Sequence, residues 1–426
     1  MSDRSDVNGI AVSTLANGLR LVSRDMPGLE TLSLGVWVDA GARHEAAAVN
    51  GISHLIEHMA FKGTRRRNAR QIAEEIESVG GHLNAYTARE QTAYYAKVLK
   101  GDMALALDLL GDILQHSVFD EDELARECAV VIQEIGQAND TPDDIIFDYF
   151  QEMAFPNQPL GRPVLGSAEG VAAMRRPVLT EYLGQHYAAP RMVLAAAGRL
   201  DHDRLVELTE QHFAGLPGLA DSAIEPARYR GGEFRSARDL EQVHLVMGFP
   251  GFDFFDRDYY VMQVLSTLLG GGMSSRLYQE VREARGLAYS IFSFASSFVD
   301  GGLFGVYAGT GEGSCAELSD VICDETLKVA ETVSEDEVAR ARSQLKSSLL
   351  MSLESTYAVS EQLARQMLIY DRPLPVAEMI ARIDAVDAAA CSACMRRILK
   401  AGPMTLAAIG PIVGLPDLDR LQKRLA

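Results

Sequence analysis

The chain has 426 residues, 47% hydrophobic and 23% charged, a globular composition in a chain too long for one ordinary core. Its net charge of −19 and pI near 4.9 argue against nucleic acid as a partner and for a basic peptide. No run of 18 apolar residues occurs, so the sequence holds no membrane-spanning helix.

At the start, Met1-Ser2-Asp3-Arg4-Ser5-Asp6 is polar and acidic with no apolar segment behind it, unlike a secretory signal or an uncleaved mitochondrial transit peptide. A bacterial cytoplasmic protein is the expectation. The cysteines agree: Cys128, Cys315, Cys323, Cys391 and Cys394 are an odd, scattered set that reads as free thiols in a reducing compartment. Cys391 and Cys394 form a lone C-x-x-C in an alanine-rich helical stretch, with no second pair to complete a zinc site, and receive no function.

His54-Leu55-Ile56-Glu57-His58 is the most informative stretch. On a helix, positions i, i+3 and i+4 share one face, so two imidazoles and a carboxylate stand together. Neutral imidazoles one turn apart share a Zn²⁺ ion, and a carboxylate that does not bind the metal takes a proton from the water that the metal activates. The alternative is an amphipathic helix whose histidines merely sit at its polar edge. A catalytic zinc takes three protein ligands, so one more must come from elsewhere in the chain.

Ala69–Val79 reads as a helix closed by Gly80-Gly81 and leading to paired strands over Leu83–Leu99. Arg126–Ile135 follows as a helix in which Glu127 and Glu134, seven apart, fall on one face beside an expected buried stripe at 128 to 132 and 135. One glutamate can bind metal while the other holds an imidazole; the spacing alone does not decide which. Asp144 and Asp148 come next, four apart and on one face if a helix resumes after Pro142.

The strand Met192–Gly198 recurs as Met404–Gly410, half the chain later, and each copy leads to a closing helix, Asp203–Phe213 and Leu415–Leu425. Ser274–Ala284 then repeats the earlier helix, passing through Gly286 to strands over Ala288–Tyr307. The expectation is an α+β protein of two homologous α/β-sandwich-like domains, each of mostly antiparallel sheet plus helices. Residues 1–215 form the zinc-binding catalytic domain, 216–232 a Pro- and Gly-rich linker, and 233–426 a homologous domain without metal. Leu269–Arg276 lacks the Gly-Lys-Ser/Thr of a phosphate loop and reads as a substrate-handling loop; Gly309–Gly313 is a turn, and no nucleotide is expected.

The H-x-x-E-H motif resembles that of the pitrilysin and insulinase metallopeptidases, the inverzincins. The likeness is greatest to the β subunit of the mitochondrial processing peptidase and its bacterial relatives, on Gly35–Arg43, Gly51–Gly63, His82–Thr92 and Gly270–Leu277. In that family the third ligand lies about 76 residues past the second histidine, which falls on Glu134. The resemblance therefore implies His54, His58 and Glu134 as ligands of one zinc per chain, Glu57 as general base and Glu127 as the group that orients a ligating histidine. It also implies that Arg282 and Tyr289 hold the substrate and the oxyanion from the second domain of a partner subunit, in a homodimer that encloses a chamber.

By the same resemblance Asp144 and Asp148 receive the arginine two residues before the cut, Phe61 lines the pocket for the residue after it, and an extended peptide pairs with an edge strand at Asn84-Ala85-Tyr86. The implied function is a zinc-dependent endopeptidase for extended, basic peptides. The family also contains non-catalytic scaffolds such as the core proteins of the respiratory bc1 complex, and peptide-binding subunits that need a catalytic partner. Retention of His54, Glu57, His58, Glu127 and Glu134 argues for the enzyme.

Overall fold

Every residue of Met192–Gly198 and of Thr405–Gly410 is buried, as an unbroken run of small and apolar side chains requires of a strand covered on both faces. The two runs occupy equivalent inner places in two sheets. The computed structural model describes residues 3–7, 9–218 and 224–425, so 219–223, inside the expected linker, lie outside it.

In chain order the strands are β1 (Asp3–Val7), β2 (Ile10–Thr14), β3 (Arg20–Asp25), β4 (Thr31–Val38), β5 (His82–Thr87), β6 (Thr92–Leu99), β7 (Met192–Gly198), β8 (Gly232–Ala237), β9 (Val243–Gly251), β10 (Ala288–Phe298), β11 (Gly301–Thr310) and β12 (Thr405–Gly410). The helices are α1 (Ile52–Ala60), α2 (Ala69–Ser78), α3 (Met103–His116), α4 (Glu121–Asn139), α5 (Pro142–Ala154), α6 (Ala168–Ala172), α7 (Arg176–His186) and α8 (His202–Phe213). They continue with α9 (Tyr259–Gly270), α10 (Cys315–Glu331), α11 (Glu335–Ser352), α12 (Thr356–Tyr370), α13 (Val376–Asp384), α14 (Ala388–Ala401) and α15 (Leu418–Leu425).

The chain folds as two units that interleave along the sequence. The first takes residues 1–136, 163–224 and 350–375; the second takes 137–162, 225–349 and 376–426. The first holds a seven-stranded sheet in the order β1-β2-β3-β7-β4-β6-β5, antiparallel except for β3 with β7. The second holds a five-stranded sheet, β10-β11-β9-β12-β8, antiparallel except for β12 with β8. In both, the inner strand pairs in parallel on one side and antiparallel on the other, which is the internal repeat of the sequence made visible.

Alternation along the inner strands sorts side chains to two faces. Leu194 and Ala196 join the large core that includes residues of α1, α2, α3, α4, α7 and α8. Val193, Ala195 and Ala197 face Val359, Leu363, Ala364 and Met367, one stripe of α12. In the second unit, Val246, Ala407 and Ile409 meet Ile146, Phe150 and Ala154, a stripe of α5. Each sheet is thus backed by a helix that the sequence supplies from the opposite half of the chain.

Two local expectations are corrected. Val131 and Cys128 are buried on α4, but Ala129 and Val130 are exposed, so the apolar run at 128 to 132 is not a buried stripe. Within the expected helix Ser274–Ala284, regular structure covers only residues 276–284, and Tyr278–Ala284 is a π-helix, a conformation frequent at functional positions.

Candidate active site

Gly51, immediately before α1, has φ +95° and a Cβ there would lie 2.7 Å from the Leu165 carbonyl oxygen, so only glycine turns the chain into this helix. The helix is nine residues long, and Ile52, Ser53, Leu55, Ile56, Met59 and Ala60 are buried. Its other side presents His54, Glu57 and His58, each half-buried. The i, i+3, i+4 spacing brings the imidazoles to a ring separation of 4.6 Å.

The third group comes from α4. Glu134 Oε2 lies 3.7 Å from His54 Nε2 and 3.6 Å from His58 Nε2. These distances are too long for hydrogen bonds, so the three groups converge without satisfying one another. Two ligand atoms at zinc distances of about 2.0–2.2 Å in tetrahedral geometry stand roughly 3.4 Å apart. The set, two nitrogens and a carboxylate oxygen within 4.8 Å of one another, fits that requirement.

Protonation supports the same assignment. Burial, and then the neighbouring His58, push the His54 imidazole down to about 4, so it is neutral at pH 7 and carries a lone pair for a metal. His54 Nδ1 is buried with no hydrogen-bond partner among the described residues. His58 is held from behind, with Nδ1 3.0 Å from Glu127 Oε2, and the other oxygen of Glu127 accepts from Lys62 Nζ at 2.7 Å. Donation from Nδ1–H to Glu127 leaves Nε2 as the free lone pair, aimed at Glu134. Glu127 is buried beside the cluster, and Glu134 sits inside it.

Glu57 stands apart from this set. Thr87 Oγ1, at the end of β5, donates to its Oε2 at 2.6 Å. Burial raises the carboxyl above the usual carboxylate range, as does the charge of Glu134, and the Thr87 bond and His58 oppose the rise. A carboxylate with a raised proton affinity beside a metal set is suited to taking a proton at neutral pH.

The other expected residues are placed as follows. Phe61 ends α1, half-buried and packed on the core of the first unit. Asn84 and Ala85 lie on β5, the last strand of its sheet, with β6 as its partner. Asp144 and Asp148 are on α5 in the second unit, the first exposed and the second half-buried. Arg282 and Tyr289 are also in the second unit, and they touch each other. The Arg282 guanidinium lies 4.3 Å from the centre of the Tyr289 ring and 4.9 Å from that of Tyr278, and donates to the Tyr289 carbonyl at 2.9 Å. Lys62 and Thr87 are site residues that the sequence reading left unassigned; both fall inside the stretches that carry the family likeness, but no spacing rule singles them out.

Residues 20–168 match the family model described as Insulinase (Peptidase family M16), and residues 173–345 match that of its inactive domain. The chain belongs to the insulinase family. Among its relatives is a probable mitochondrial-processing peptidase subunit beta of Arabidopsis thaliana, 41% identical over 97% of this chain and 80% of the relative. An uncharacterized zinc protease of Rickettsia bellii is 39% identical over 88% of this chain and 92% of its own length. The insulinase-family fold also matches a chain of Candida albicans complex III with a TM-score of 0.86 at 23% identity, covering 97% of this chain and 99% of the other. That likeness speaks to fold alone. The family match divides the chain as the donor set does: His54, His58 and Glu134 fall within 20–168, and Arg282 and Tyr289 fall within the stretch matching the inactive domain.

Proposed function

We propose that this chain is a zinc-dependent endopeptidase that cleaves extended, basic peptides. The observation that carries the reading is the convergence of His54, His58 and Glu134 beside a half-buried carboxylate, Glu57, that lies outside the donor set. Zinc held by the three would supply Lewis acidity, acidifying water and polarising the scissile carbonyl.

Glu57 takes the proton of the attacking water and passes it to the leaving nitrogen, while Glu127 keeps His58 in the ligating tautomer. The open edge of β5 around Asn84-Ala85 offers main-chain hydrogen bonds to an extended peptide, and Phe61 lines the position after the cut. Asp144 and Asp148, one helical turn apart on α5, provide carboxylates for an arginine two residues before the cut. Arg282 and Tyr289, in contact with each other outside the metal-binding unit, hold the oxyanion from a partner subunit in a homodimeric chamber. The five free, buried cysteines fit a reducing compartment, and a bacterial cytoplasm is the setting proposed.

The test is cleavage of a basic, presequence-like peptide by the purified chain, with metal content measured before and after chelation and after zinc is restored. Chelator-sensitive, zinc-restored cleavage one residue past an arginine upholds the reading. A metal-free protein inert toward such peptides before and after zinc addition overturns it.

A further inference from the structure

The first turn of α1 exposes a problem. Its backbone N–H groups have no partners within the helix, and Gly51 before it has no side chain with which to cap them. The turn is also buried: Ile52 and Ser53 are fully enclosed, so water does not solve it.

Glu45, six residues before Gly51 and itself only 3% exposed, answers part of it from outside the helix, at the N–H groups of Gly51 and Ser53. Its Oε1 accepts from the Ser53 N–H at 2.9 Å, its Oε2 from the Gly51 N–H at 2.8 Å, and Asn50 Nδ2 donates to the same oxygen at 2.7 Å. One carboxylate thereby does the work usually divided between a capping side chain and the acid of the following turn. A negative charge there also complements the positive end of the helix dipole. Ser53 is the residue directly before His54, and its hydroxyl meets Tyr182 Oη at 2.8 Å, which ties the same turn to α7.

We infer that Glu45 is a positioning residue for the metal site: through the N–H groups of Gly51 and Ser53 it fixes the height and rotation of α1, and so the places of His54, Glu57 and His58. The inference rests on the metallopeptidase reading. A nine-residue helix has too little propensity of its own to hold three groups in register, so its anchoring must come from tertiary contacts. Glutamine at 45 keeps the shape but replaces one acceptor with a donor that faces a backbone N–H.

The experiment compares wild type, Glu45→Gln and Leu208→Ala, the last a core substitution on α8 of the same unit. The readouts are zinc Kd by chelator competition, melting temperature, and kcat and KM at saturating zinc. Glu45→Gln is expected to weaken zinc binding about 10–100-fold and to lower kcat by about tenfold with KM nearly unchanged. Leu208→Ala is expected to lose melting temperature while keeping the wild-type zinc Kd. Wild-type zinc affinity and kcat in Glu45→Gln overturn the proposal, as does a loss of zinc affinity that Leu208→Ala shares at equal loss of melting temperature. If Glu45→Gln does not fold, Asn50→Ala carries the test. It removes one donor to the carboxylate and is expected to loosen zinc several-fold, and an unchanged Kd overturns the proposal. A wild-type chain that binds no zinc overturns the metallopeptidase reading itself, a result distinct from an anchoring residue that proves dispensable.

Discussion

Thr87 and Glu57 are joined by a 2.6 Å hydrogen bond between the last residue of β5 and the middle of α1. The hydroxyl stabilises the ionised carboxylate against its burial, so it lowers a proton affinity that desolvation raises. Thr87→Val should therefore move the acidic limb of the kcat/KM profile to higher pH, with kcat on the plateau little changed. A pH–rate series checks this, and an unmoved limb would show that Glu57 does not set it.

Glu57→Gln removes the proton acceptor and leaves His54, His58 and Glu134 in place. Bound zinc should stay at wild-type content while turnover falls by about 10²–10⁴-fold or more. Metal analysis beside a peptide assay checks both halves, and near-normal cleavage at full zinc content would sink the role given to Glu57.

Glu127 is buried, bonded to His58 and paired with Lys62 at 2.7 Å. Glu127→Gln weakens the hold on the His58 tautomer and leaves the Lys62 ammonium without its counter-charge. Zinc affinity should fall about 10–100-fold, with activity largely recovered at high zinc. Chelator competition measures this; a zinc Kd equal to wild type contradicts it.

Acid should unfold the metal-free first unit through its buried histidines. Burial, with Arg191 adding to it, lowers His44 to about 3 and His186 to about 4, and burial likewise brings His54 to about 4. Their folded proton affinities lie below the unfolded value near 6.5, so the unfolded chain binds more protons in that window. Stability is thus fully present above about pH 6.5 and is lost as pH falls toward 4, by roughly 1.4 kcal/mol per pH unit for each such histidine. Melting temperature against pH, without metal, should show this slope, and His186→Gln should make it shallower.

Leu363 lies on α12 with 4% exposure, against β7 and its neighbours. Leu363→Ala should destabilise the first unit by about 2–5 kcal/mol although residue 363 stands far along the second half of the sequence. Calorimetry combined with limited proteolysis of fragments from residues 3–136 reads the effect, and an unperturbed first unit refutes it.

His54, Glu57 and His58 were legible because their relationship is local: an α-helix puts i, i+3 and i+4 together. The repeat of Met192–Gly198 at Met404–Gly410 likewise made the duplicated, mostly antiparallel architecture readable. Glu134 needed the family spacing, since two glutamates seven apart are equivalent by periodicity, and only the fold shows Glu127 behind His58 and Glu134 facing the Nε2 atoms of both histidines. Thr87 and Glu45 reach the helix by side-chain hydrogen bonds between separate elements, which no periodicity reports. The placement of α5 and α12 was hidden for a related reason: an amphipathic stripe states that a helix covers something, not which sheet it covers.

That placement bears on how the gene can be cut. A break in the segment around residue 220 would release two pieces that each lack the helix backing one sheet, leaving the apolar faces of β7 and β12 open to water. The halves are alike in sequence but not independent in folding, so fragment expression should fail piece by piece and succeed only when both pieces are made together and trade helices.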